Sequence, residues 1–308
     1  MILLMALLLF FGIVMSAIGI YVSTEPDLFA VPKDKKVTGY ATTETIVKMT
    51  DVLLHKRGGF MSNDVFPPFV LLDNMPAWEK GVVVQIRDMV RALRKDIARS
   101  QSQSTEDVDL IKAEPYYNLE MTRYLFPSSE EEYGRGRKAI KHYQRRLLGE
   151  TDASEAEYYA RADNLRNWLQ DVETRLGSIS QRLSASVDAS HKNVLGGEAG
   201  SSVGDKIQTP WYQVDDVFYE ARGTTWALIH LLRAVRVDFG PILQKKDALA
   251  SLDQIIRELE ASQEAVMSPV ILNGGGFGLF ANHSLVMANY ISRANAAIID
   301  LRALLERG

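Results

Sequence analysis

"LRNWLQDVETRLGSISQRL", residues 165–183, decides the fold. Leu165, Leu169, Val172, Leu176, Ile179 and Leu183 step by four, three, four, three and four, which is a heptad seam on one helical face. Two and a half heptads are short for an independent coiled coil, so the seam is expected to pack on a helix of the same subunit rather than between subunits.

The same periodicity continues outward in both directions. Towards the N-terminus a helix is expected from Ser129 to Leu148, and another over Val82, Ile86, Met89, Val90, Leu93 and Ile97. Pro76 suits a first helical turn with Asn74 as a possible cap, and Ser104 and Asp107 have the spacing of a capping arrangement before a further helix. A short helical pattern covers Thr43 to Leu54. The following "HKRGGFMSNDVFPPFVLLDNMP" reads as an ordered loop in which Phe60, Phe66, Phe69, Val70, Leu71 and Leu72 are expected to be buried.

Towards the C-terminus, residues 189–208 are Gly- and Ser-rich and read as a mobile loop. Three more helices follow, carrying Val214 to Val235, Leu249 to Leu259 and Leu285 to Leu305. Strand alternation is not sustained anywhere. The fold class is therefore all-α: an N-terminal transmembrane helix followed by a multi-helix bundle with long antiparallel helices. The organisation is an anchor at 1–22, a stalk and ordered loop region at 23–75, and a helical domain at 76–308.

From Met1 to Thr24 there is no charged side chain, and about 20 apolar residues span the roughly 30 Å hydrocarbon core of a bilayer. No Lys or Arg precedes this run, which ends in Ile-Tyr-Val, so a retained anchor is favoured over a cleaved signal peptide. The positive-inside rule applied to Lys33, Lys35 and Lys36 would keep the body in the cytoplasm. Against that, a leading apolar segment often directs export, and Glu25 and Asp27 come first after it; a single membrane pass with a periplasmic body is the expectation.

The 308 residues carry a formal net charge of −4 and no cysteine. That balance does not suit a surface built to neutralise a phosphate backbone, so no nucleic acid is expected. Thiolate metal sites, disulfides and cysteine nucleophiles are excluded. The five histidines lie apart, without H-x-x-x-H or E-x-x-H spacing, and no metal or cofactor is expected.

"ILNGGGFGLFANHS", residues 271–284, has the G-x-G-x-x-A spacing of a dinucleotide fold, but no second strand follows it, and Asp300, at roughly the right distance for a ribose carboxylate, falls within the helical pattern. No nucleotide is expected; the reading is an interhelical turn, with Asn282 or Ser284 capping the last helix. "TPWYQVDDVFYEARG", residues 209–223, holds the densest set of reactive groups. Tyr212, Asp215, Asp216 and Glu220, joined by His283, are the candidate catalytic residues for an enzyme acting on an envelope polymer. Carboxylates on one helix lack the opposing walls such chemistry needs, and a structural role is favoured. The basic run Arg135, Arg137, Lys138, Lys141, Arg145 and Arg146 is the candidate surface for a partner or for anionic headgroups, against a solvated helix face offset by Glu130, Glu131 and Glu132.

"LDNMPAWEKG", "RSQSQSTEDVDL", "TPWYQVDDVFYEARG" and "SPVILNGGGFGLFANHSLVMANYISRANAAIIDLR" together resemble the bacterial family called domain of unknown function 2333, over nearly the whole chain after the anchor. The resemblance implies one N-terminal membrane span and a largely helical body in a Gram-negative bacterium, and no activity or catalytic residue. The expected role is binding or scaffolding of envelope components through an envelope protein partner, or in a homo-oligomer, with the bilayer contacted through residues 1–22.

Overall fold

The computed structural model describes residues 1–101, 104–151, 154–185, 209–266, 271–272 and 282–307. Ten α-helices and no strand pair are found among them. The expectation for residues 189–208, and the glycines of the 271–284 stretch, lie outside the described residues.

The first helix, α1 (Ile2–Val22), stands away from the body: Gly19 and Val22 are buried, Met15 is half-buried, and the rest of its apolar side chains face outwards. At 1.5 Å per residue it is about 31 Å long, enough to cross a membrane. Its last turn rests on the loop that follows α2 (Tyr40–His55). A Cβ built on Gly19 would lie 3.7 Å from Leu72, and one built on Gly58 would lie 3.0 Å from Val22.

The body forms around α7 (Val214–Asp238), which buries Val217, Phe218, Trp226, Leu228, Ile229, Leu231, Leu232 and Val235 around most of its circumference. A helix apolar on so many sides must be covered by several neighbours. On one side runs α3 (Asn74–Ala92), extended by a π-helical turn Leu93–Ile97 in which the Ala98 N–H reaches back to the Leu93 carbonyl at 2.9 Å. These two helices are parallel. Gly81 and Gly223 permit this close approach: a Cβ on either would fall 2.3 Å from the Glu220 carbonyl oxygen or 2.0 Å from that of Trp78.

The other long neighbours are antiparallel, as cross-helix partners record. α2 runs against α5 (Ser129–Leu147), with Asp51 meeting Arg137 and Glu44 meeting Gln144. α4 (Val108–Tyr117) runs against α5 through Asp109 with His142 and Tyr117 with Tyr133. α6 (Ala162–Ala185) runs against α10 (His283–Glu306) through Arg166 with Glu306 and Ser180 with Ser292. α8 (Gly240–Lys245) turns the chain, and α9 (Leu249–Ala261) returns along α7 through Arg236 with Asp253 and Arg233 with Glu260.

The heptad seam is buried inside the subunit, Leu165 to Leu183 facing α10 and α3. Ile46, Met49 and Leu53 of α2 join the same core as α3 and α7. Three local expectations need correction. Asp107 itself caps α4, accepting from the Asp109 N–H at 2.9 Å, while the Ser104 hydroxyl bonds to the Gln101 carbonyl. α3 starts at Asn74 rather than being capped by it. In the loop before α3, Phe60 is buried as expected, but Phe66, Val70 and Leu71 are exposed. They sit where the chain leaves α1, so burial in the protein core is not their fate.

Candidate functional site

The best-built polar site lies where the chain leaves α1. Residues 23–38 form an extended strap along α7, and three α7 side chains four residues apart, Arg222, Trp226 and His230, hold it from a single face. The Arg222 Nε donates to both Glu25 carboxylate oxygens at 2.7 and 2.8 Å. Its terminal nitrogens donate to the carbonyls of Ser262 (3.1 Å), Gln263 (3.3 Å) and Glu264 (2.9 Å), so one guanidinium joins the strap, α7 and the C-terminal end of α9. A cation suits that helix end, whose last carbonyls lack intrahelical donors. Trp226 Nε1 donates to the Asp27 carbonyl at 3.4 Å.

His230 completes the stripe. Its Nδ1–H donates to the Trp226 carbonyl at 2.7 Å, and Nε2 accepts the Phe29 N–H at 3.0 Å while the two rings stack at 3.8 Å. These two bonds define a neutral imidazole with its proton on Nδ1. Burial pushes the ring pKa down to about 4, with only the Trp226 carbonyl pulling the other way and Arg233 adding to the fall. At the far end of α7, Asp238 accepts from the Gly39 N–H (2.8 Å), the Thr42 N–H (2.7 Å) and the Thr42 hydroxyl (2.7 Å), and so caps α2 from a distance. Burial pushes its carboxyl up, opposed by these donors.

Beside the strap lies an open cavity of 540 Å³ lined by Glu25, Leu28, Phe218, Trp226 and Val266 among others. A neighbouring cavity of 260 Å³ is lined by Phe218, Ser262, His283, Met287 and Tyr290. His283 also closes the chain on itself: its N–H donates to the Leu272 carbonyl at 2.8 Å and its Nδ1 accepts the Leu272 N–H at 3.1 Å. Asn282 caps α10 through the Leu285 N–H at 2.8 Å, as one of the two expected caps.

The remaining sequence candidates are placed as follows. Glu220 points away from His283 and is gripped by the Arg182 guanidinium at 2.6 and 2.8 Å and by Lys80 at 3.0 Å. Burial pushes its carboxyl up, but the two cations outweigh that and hold it below its ordinary value. Asp215 and Asp216 are half-buried at the start of α7, both raised first by burial and further by the nearby Asp73 carboxylate. Tyr212 is exposed. None of these four lines the cavity at His283. Among the described residues no group of three or more His, Asp or Glu side chains is arranged to hold a metal ion.

The basic run divides by face. Arg135 pairs with Glu131 and Glu132, Arg137 with Asp51, and Arg146 is buried against Asp107 and Asp109. Lys138, Lys141 and Arg145 form an exposed stripe on α5. They carry no ion pair among the described residues.

Sequence reasoning missed Arg222, Trp226 and His230 as a set. Their signal was available as an i, i+4, i+8 polar and aromatic stripe on an otherwise apolar helix, but the strap that gives it meaning lies about 200 residues away in sequence. No curated protein and no solved structure matches this chain. A family model described as an uncharacterized protein conserved in bacteria, DUF2333, matches residues 1–308, and the chain belongs to that family.

Proposed function

We propose that the protein is a single-span protein of the bacterial inner membrane whose periplasmic helical body acts by binding other envelope components. The observation that carries this reading is the pairing of an apolar α1 left uncovered by protein with a strap bonded to α7 at three successive points. Apolar surface on that scale is unfavourable in water and favourable in lipid. A flexible tether would only localise the body; a bonded strap also sets its height and orientation on the bilayer.

The α5 stripe Lys138, Lys141 and Arg145 supplies a surface for an acidic partner. α5 begins beside the α1 end, since Phe60 meets Tyr133 at 5.5 Å and Asn63 reaches Glu130 at 2.6 Å. At 1.5 Å per residue the stripe then lies about 14 to 24 Å farther along α5. That separation from the α1 end favours a protein partner over lipid headgroups. An enzyme built on Tyr212, Asp215, Asp216, Glu220 and His283 has less support, because Glu220 is engaged by two cations on the side away from His283.

Two measurements test the reading. The chain is expected to remain in the membrane fraction after salt and carbonate washing, and a reporter active only in the periplasm is expected to function when fused after Arg307. A soluble product lacking Met1 to Val22, or a silent reporter, would overturn the anchor or the placement respectively. Partners that co-purify in mild detergent are expected to be lost when Lys138, Lys141 and Arg145 are all changed to Glu, with the thermal melt unchanged.

A further inference from the structure

Two uncharged loop tips lie near the exit of α1, the first against its last turn and the second linked to the first through Asn63. The first, Val65–Leu72, exposes Phe66 at 74% and Leu71 at 75%, together with Val65 and Val70; the second exposes Phe126 at 93%, with Tyr124 and Leu125 beside it. Scattered exposed apolar residues are ordinary, but two contiguous groups of large ones beside an apolar helix are not.

Both tips are held in place by the rest of the fold. The first is closed on itself by the Val70 N–H to the Phe66 carbonyl (3.1 Å) and the Leu72 N–H to the Phe69 carbonyl (2.9 Å). The segment leading to it is fastened by Glu79, which pairs with buried Lys56 at 2.5 Å and accepts the Met61 and Ser62 N–H groups, each at 2.8 Å. The second is drawn to the first by Asn63, whose side-chain amide donates to the Arg123 carbonyl at 3.0 Å, and is closed at its own base by Ser129, whose N–H donates to the same carbonyl at 2.9 Å.

Their height follows from α1. Leu72 lies 3.7 Å from the Cβ position of Gly19, about one turn from the end of the helix. Since α1 is only about as long as the hydrocarbon core is thick, its last turn falls at the boundary between acyl chains and headgroups. Tyr21, with Arg57 over its ring at 5.2 Å, adds the aromatic and basic pair expected at that depth.

From this geometry we infer that the Val65–Leu72 and Tyr124–Phe126 tips insert into the interfacial layer of the bilayer beside α1, giving the body a three-point seat on the lipid. The inference rests on α1 being a membrane span. Interfacial insertion of aromatic and aliphatic side chains to about 5 to 10 Å is enough to remove such tips from water.

The chain contains no cysteine, so single labels can be placed cleanly. The full chain is reconstituted in phosphatidylcholine nanodiscs with an environment-sensitive fluorophore on Phe10→Cys, Phe66→Cys, Leu71→Cys, Phe126→Cys or Arg145→Cys, with or without nitroxide-bearing lipid. The expected result is blue-shifted emission, quenched by the nitroxide, at positions 10, 66, 71 and 126, and neither effect at 145. Quenching at 10 without quenching at 66, 71 and 126 would overturn the seat while leaving the span intact. Failure at 10 as well would remove the span and the seat with it. Shielding of 66 and 126 that depends on protein concentration and not on nitroxide lipid would assign the tips to a second copy and overturn the inference.

Discussion

Protonating His230 would break its bond from the Phe29 N–H, because a ring nitrogen that carries a proton can no longer accept. With the folded pKa near 4, the unfolded chain takes up this proton first as pH falls below about 6.5, and the folded state does not. The unfolded state then binds more protons, so stability falls with falling pH between about 6.5 and 4 and levels off below. The loss from this residue is roughly 3 kcal/mol over that window. Thermal melts of the detergent-solubilised chain should show it, and His230→Gln should flatten the slope in that window while lowering stability at pH 7. Glu220 acts in the same direction at lower pH: its folded pKa is depressed, so its contribution is present above the ordinary carboxylate range and is lost as pH falls through the folded value. Glu220→Gln at neutral pH should cost about 2 kcal/mol through lost charge-assisted bonds, which marks it as structural if the melt shifts. The sequence favoured a structural role for Glu220 because its neighbouring carboxylates are confined to one helix; Arg182 and Lys80 as its partners were not legible, since they lie on two other helices.

Among the elements, the parallel pair α3 and α7 is the most sensitive. A methyl group at Gly81 or Gly223 would meet backbone rather than a movable side chain, so the helices must separate and the core around Trp78 and Trp226 must open. Gly223→Ala is expected to cost about 3 kcal/mol, whereas Gly134→Ala on α5, where a Cβ meets nothing within 4 Å, should be neutral or slightly stabilising by the usual helix preference. Denaturant melts of the two variants side by side check this, and equal effects would show that the close approach is unimportant. The strap is the second sensitive element. Arg222→Ala should cost about 2 kcal/mol or more, because it leaves Glu25 and the carbonyls at the end of α9 without their donor. Proteolysis between residues 23 and 38 should accelerate in that variant before the body itself unfolds.

At the scale of the whole molecule, bonds from α7 to the strap and packing of the 56–72 loop against the last turn of α1 join the body to its apolar helix at two places. On the function proposed above, a body held in this way would present its far surfaces at a set distance from lipid, as a scaffold for envelope partners requires. If the body were instead loosely tethered, Arg222→Ala would leave partner recovery unchanged. We expect it to reduce co-purification as well as stability, whereas the α5 charge reversals reduce co-purification alone.

Periodicity in the chain was sufficient for the all-α class, for the apolar leading helix and for the extents of α5, α6 and α7 to within a few residues, because each of these is written in neighbouring residues by the 3.6-residue repeat. It was also sufficient to keep the heptad seam inside the subunit. Tertiary structure alone decided which faces meet: that α3 and α7 run parallel on two glycines, that Asp238 caps a helix nearly 200 residues earlier, and that Phe66 and Leu71 remain outside the core. The physical reason is that apolarity specifies removal from water without specifying the destination. A buried Phe60 and an exposed Phe66 have the same side chain, and only their position relative to α1 separates protein interior from the face we assign to lipid.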